Sequence, residues 1–208
     1  MTAFLLVRHG ETEWNAEGRL QGWRDSPLTP TGRAQASALA ERLARERVDL
    51  VVASDLGRTL ATAAPIAERL ALAVVSDAGL RERCYGILEG MTWAESKRAH
   101  QDLYLRLNAR DQDVAVPGGE SGMQFSNRVA AAFERLAATH GASRVAVVTH
   151  GGVLGIVFRR ARGIPLEMPR TFSVPNAGVS RLRIEGRRWT IDGWGETDHL
   201  PTAALDDI

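Results

Sequence analysis

The chain has 208 residues and balances 26 basic against 25 acidic side chains, a formal charge of +1, so its charge gives no reason to expect a nucleic acid or an anionic membrane as partner. Cys84 is the only cysteine, which removes intrachain disulfides and cysteine-rich zinc sites from consideration. No apolar run approaches the roughly 18 residues of a membrane span, Arg8 interrupts the N-terminal one, and a cytoplasmic protein folding as one domain over residues 1–208 is expected.

Apolar runs and helical patterns alternate along the chain. The run Phe4–Val7 reads as a first strand, followed by a long turn containing Pro27. Thr29 can cap a helix with Pro30 in its first position, extending to about Arg47 with Leu39 and Leu43 one turn apart. A strand over 50–53 leads to a helix near Arg58–Leu70, whose Pro65 is expected to kink or loosen its first turns. A short strand near Val74 and Val75 precedes a less regular stretch, in which residues 92–116 read as one or two polar helices and a loop within a lid-like insertion of about 86–121. Ser121 and Gln124 form a capping-box pattern for a long helix through Leu136. A strand over 145–149, a helix over 153–162 and a hairpin of strands near 179–184 and 188–192 with Gly186 at its turn complete an α/β order, mostly parallel with an antiparallel element.

Two of these strands end alike. Val7-Arg8-His9-Gly10 closes the first, and Thr149-His150-Gly151-Gly152 closes the one about 140 residues later. Ligands of open α/β sheets sit beyond the carboxyl ends of the strands, so two such ends could aim both imidazoles into one pocket. Arg8 stands beside the first histidine, and Ser54-Asp55-Leu56-Gly57-Arg58 puts another arginine after the second strand. Guanidiniums repel a cation and suit an anion, so a phosphate group is expected in preference to a metal ion. A neutral imidazole can attack phosphorus and carry the phosphoryl group, while the second imidazole and the arginines balance its equatorial charge. An alkoxide leaving group still needs a proton, and Glu82, expected just beyond another strand end, could supply it if Arg81 and Arg83 do not face it. Otherwise Glu82 is an exposed residue of a charged turn.

Arg8-His9-Gly10-Glu11-Thr12 with Asn15, Ser54–Thr59, Leu80-Arg81-Glu82 with Gly86 and Glu89-Gly90, and Thr149-His150-Gly151 together resemble the histidine phosphatase superfamily, the phosphoglycerate-mutase-like proteins, in the family's order over nearly the whole chain. The resemblance implies a three-layer fold with a mostly parallel central sheet and helices on both faces. It also implies that His9 becomes phosphohistidine, that Arg8, Arg58 and His150 hold the phosphoryl group, and that Glu82 is the proton donor and later the base for water. Asn15 and the Gly151 amide are implied as further phosphate ligands, and Gln21, Gly22 and Tyr85 as substrate-facing residues.

Within that family, mutases carry a lysine near the place of Trp93, an adjacent arginine pair in the inserted segment that is missing between 92 and 121 here, and an asparagine where this chain has Gly152. The departures favour the phosphatase branch: a phosphomonoesterase acting on a small phosphate ester without metal or cofactor, as a monomer or homodimer. A cofactor-dependent phosphoglycerate mutase and a non-catalytic phospho-ligand binding protein are the alternatives. Trp14, Trp23, Tyr85, Trp93 and Met123 are candidates to line an outer pocket.

Overall fold

The computed structural model describes residues 1–201 and 203–206. Six strands, β1 (Thr2–Arg8), β2 (Leu50–Ala53), β3 (Val74–Ser76), β4 (Arg144–Thr149), β5 (Val179–Glu185) and β6 (Arg188–Glu196), form one sheet in the order β3-β2-β4-β1-β5-β6. The first four in that order are parallel, and β5 and β6 add antiparallel on one side. β1 is paired on both edges and covered on both faces, which is why it reads as an uninterrupted apolar run.

Side-chain alternation sorts the core into two layers. Leu5 and Val7 pack with Leu39, Leu43 and Ile66 from α2 (Pro30–Leu43) and α3 (Gly57–Leu70). Phe4 and Leu6 face the opposite way, onto Val129 and Phe133 of α6 (Gly122–Thr139) and Val153 and Val157 of α7 (Gly151–Arg162). The helix after β1 therefore covers one face and the helix after β4 the other. The crevice between β1 and β4 is a switch point of the kind where α/β sheets bind ligands.

Several predicted boundaries shift. Thr29 caps α2 through a hydrogen bond from the Gly32 amide, 3.0 Å, with Pro30 at the first position, but the helix ends at Leu43 and not near Arg47. α3 runs as one helix through Pro65. α7 begins two residues early, with His150 as its N-cap. A short helix, α1 (Glu13–Ala16), occupies part of the expected long turn, held by a capping box between Thr12 and Asn15. The segment over 92–116 contains α4 (Trp93–Ala99) and α5 (Gln101–Asn108), and the Ser121–Gln124 capping box opens α6. Glu82 does not directly follow a strand: β3 ends at Ser76, and a 3-10 turn, Ala78–Leu80, comes first. None of the helices among the described residues is long and apolar enough to cross a membrane.

Candidate active site

Parallel pairing of Arg8 with Thr149 brings the two strand ends level, and the His9 amide donates to the Thr149 carbonyl at 2.9 Å. His9 and His150 leave their strands side by side, with ring centroids 5.3 Å apart and planes at 64°. Both are buried. Gly10 is required at the turn after His9, because a Cβ there would lie 2.5 Å from the Gly32 carbonyl oxygen at the start of α2.

The tautomer of His9 follows from its partner. Its Nδ1 lies 2.8 Å from the Gly10 carbonyl, which can only accept, so Nδ1 carries the hydrogen and the lone pair is on Nε2. Burial, then Arg58, then Arg8 hold the His9 pKa well below the ordinary imidazole value, and burial followed by Arg58 does the same to His150. Both rings are neutral at pH 7. The His150 Nε2 is 2.9 Å from the Ser54 hydroxyl, while its Nδ1 is buried without a hydrogen-bond partner among the described residues.

Arg58 is fully buried, and carbonyls fix its guanidinium: Nη2 donates to Gly22 O at 2.8 Å, and Nη1 donates to Arg24 O and to the Asp25 carboxylate, each at 2.9 Å. Asp25 also accepts the Gly57 amide, supplying the side-chain cap that Leu56 cannot give α3. Arg8 donates to the Val174 carbonyl at 2.8 Å. Burial works against the Arg58 charge, and Asp25 and Glu82 support it. Two cations set against neutral imidazoles form an anion-attracting centre.

Glu82 joins this centre from the other side. Its Oε2 accepts the Gly152 amide at 2.8 Å and its Oε1 the Arg83 amide at 2.8 Å. Arg81 turns away into a bidentate pair with Asp55 and lies over the Trp23 ring, and Arg83 donates to the Glu120 carbonyl at 3.1 Å. Neither guanidinium bonds the Glu82 carboxylate. The half-buried Glu82 is thus more than an exposed turn residue.

The remaining predicted residues divide. Gly151 and Tyr85 line a cavity of about 530 Å³ that begins at Gly151 and Gly152. Burial pushes the Tyr85 hydroxyl up to about 12, so it stays protonated. Gly22 acts through its carbonyl on Arg58, and Gln21 is buried with its Oε1 unpartnered among the described residues. The Asn15 Oδ1 accepts from Thr12 and from the Asn176 amide, which also donates to the His9 carbonyl. Of the proposed outer-pocket residues, Tyr85 and Trp93 line the cavity; Trp14, Trp23 and Met123 do not.

Sequence reasoning missed several supports. Asn176 donates to the His9 carbonyl at 3.0 Å, and Arg128 ties the Arg81 and Glu82 carbonyls to the Glu120 carboxylate. Arg128 reads in the sequence as an ordinary charge on an amphipathic helix. Ser54 closes an apolar run as the histidines do and was the one readable signal. Among the described residues no group of three His, Cys, Asp or Glu is arranged to hold a metal ion.

The profile of the histidine phosphatase superfamily (branch 1) matches residues 4–197, and the chain belongs to that family. Phosphoglycerate mutase-like protein 4 of Arabidopsis thaliana is 38% identical over 94% of this chain and 86% of its own. Among solved structures, Bacillus stearothermophilus YhfR superposes with a TM-score of 0.89 at 29% identity, covering 96% of this chain and all of that one. A mycobacterial glucosyl-3-phosphoglycerate phosphatase, solved with VO3, gives 0.83 at 31% identity over 94% of this chain and 99% of its own.

Proposed function

We propose that the protein is a metal-independent phosphomonoesterase that hydrolyses small phosphorylated metabolites through a phosphohistidine at His9. The observation that carries this reading is the His9 ring: buried, neutral, with its Nδ1 hydrogen committed to Gly10 and its Nε2 lone pair left among Arg8, Arg58 and His150. Nε2 attacks phosphorus as the ester oxygen departs, and Glu82 gives that oxygen its proton. Water then attacks the phosphohistidine, Glu82 takes a proton from it, and inorganic phosphate and free His9 are regenerated. The guanidiniums of Arg8 and Arg58 neutralise the equatorial oxygens, and the Nδ1 of His150, once its Nε2 accepts from Ser54, donates to one of them. Asn15 and the Gly151 amide complete the phosphate ligands, and Gln21, Gly22 and Tyr85 border the substrate.

Gly152, where the mutase branch carries an asparagine, supports the phosphatase reading, and its lack of a side chain leaves the space that Glu82 occupies. A Cβ at that position would lie 2.1 Å from the Glu82 Oε1, so a side chain there and this seat for Glu82 exclude one another. The test is phosphate release from a panel of esters, with chelator present, compared with interconversion of the two monophosphoglycerates in added bisphosphoglycerate. Release from at least one ester is expected to exceed interconversion. Faster interconversion than hydrolysis of every ester would assign a mutase, a strict need for added divalent ion would overturn the metal-free scheme, and neither activity would assign a binding protein.

A further inference from the structure

The cavity beside the catalytic centre runs along α7: Gly151, Gly152, Gly155, Ile156 and Arg159 all line it, positions that share one face of a helix. At 1.5 Å per residue this floor carries the cavity about 12 Å from the phosphate end to Arg159. Its walls near Glu82 are aromatic, with Tyr85 and Trp93 edge to face at 6.4 Å.

Charge along the walls is one-sided. Arg83, Arg110, Arg159 and Arg170 line the cavity, and none of its lining residues is acidic. Arg159 is only 7% exposed, yet its guanidinium is held by two neutral groups, the Pro165 carbonyl at 2.7 Å and the Met168 carbonyl at 2.8 Å. Burial and the like charges of Arg110 and Arg170 disfavour its charge, and Glu167 attracts it without forming an ion pair. The Arg110 guanidinium makes no hydrogen bond among the described residues, and Arg170 is paired with Asp206. A buried cation among like charges is costly unless an anion answers it.

We infer that this arginine end of the cavity is a subsite for a carboxylate carried by the leaving group roughly 10 Å from the transferred phosphorus, bound by Arg110 and Arg159 with Arg170 beside them. The substrate class is then an extended phosphate ester, apolar in its middle against Tyr85 and Trp93 and anionic at its far end. The arginines come from the loop after α5, the end of α7 and the loop beyond it, so the missing adjacent arginine pair in the inserted segment does not make the pocket neutral.

This inference rests on the phosphatase reading, and the test separates the two. Carboxybiphenylyl phosphate, with the carboxylate at the far para position, is compared with its carboxamide, and meta-carboxyphenyl phosphate with its own carboxamide. The amide withdraws electrons more strongly, so leaving-group chemistry alone favours the amide in each pair. The expected result is a kcat/KM at least about tenfold higher for the long carboxylate than for its amide, as for hydrogen bonds to a charged group, and no such gain in the short pair. In Arg110→Met the long-pair ratio is expected to fall toward unity. Equal values for the long pair, or an equal gain in the short pair, would overturn the subsite. If no ester is hydrolysed, the same ratio read as affinity by calorimetry decides the subsite, while the hydrolytic reading fails on its own.

Discussion

The Oε2 of Glu82 accepts the backbone N–H of Gly152 at 2.8 Å, and no room remains for a Cβ on that glycine. The first turn of α7 therefore holds the carboxylate while its other end carries a cavity wall. Gly152→Ala should displace the flexible end of Glu82 and leave the helix intact, since alanine favours a helix over glycine by about 1 kcal/mol. The expected outcome is an unchanged or higher Tm with turnover of an alkyl phosphate lowered by roughly 10²-fold. A variant with full turnover would show that this contact has no part in catalysis.

Glu82→Gln keeps the shape and removes the transferable proton. Turnover of an alkyl phosphate is expected to fall by about 10² to 10⁴, and leaving-group release from an activated aryl ester far less. Single-turnover measurement separates that first step from phosphohistidine hydrolysis, which the substitution should also slow. Equal losses for both esters in the first step would make Glu82 a binding or structural residue.

An acid-labile, base-stable phosphoprotein should be trapped from labelled substrate in a quench that avoids acid, and His9→Ala should abolish it. Full labelling of that variant would move the nucleophile elsewhere.

The two histidines give stability a pH dependence of known sign. Their folded pKa values are depressed, so below about 6.5 the unfolded chain takes up protons that the folded chain refuses. Stability is therefore expected to fall as pH drops from 6.5 toward the folded pKa values, by about 1.4 kcal/mol per pH unit for each histidine. Chemical denaturation of the wild type and of a His9→Asn/His150→Asn double variant measures this. Identical slopes would show that neither ring is the source.

The histidine-bearing strand ends were readable because β1 and β4 are apolar on both faces and stop at a polar, turning dipeptide; local sequence carries that signal in full. The order of elements and the hairpin about Gly186 were readable for the same reason. The seat of Glu82 was not, because it depends on an amide 70 residues away, and the turn away of Arg81 depends on Asp55. Asp25 is the clearest case: nothing near it in sequence announces that it caps α3 and holds Arg58 at once. The cationic cavity end escaped notice because Arg110, Arg159 and Arg170 are separate in the chain and 25 of the 26 basic residues are arginine, which hides any particular three.

The pairing of Arg8 with Thr149 has a consequence for how the protein reaches its working form. Contacts between segments so distant must overcome loop-closure entropy before they contribute, and parallel pairing of this kind forms slowly. The two imidazoles meet only when that closure is complete, so neither half of the chain can carry a partial centre during synthesis or refolding. The approach of the two rings then reports closure of the central sheet, and a refolding chain with its helices formed but β1 and β4 still apart lacks the assembled histidine pair.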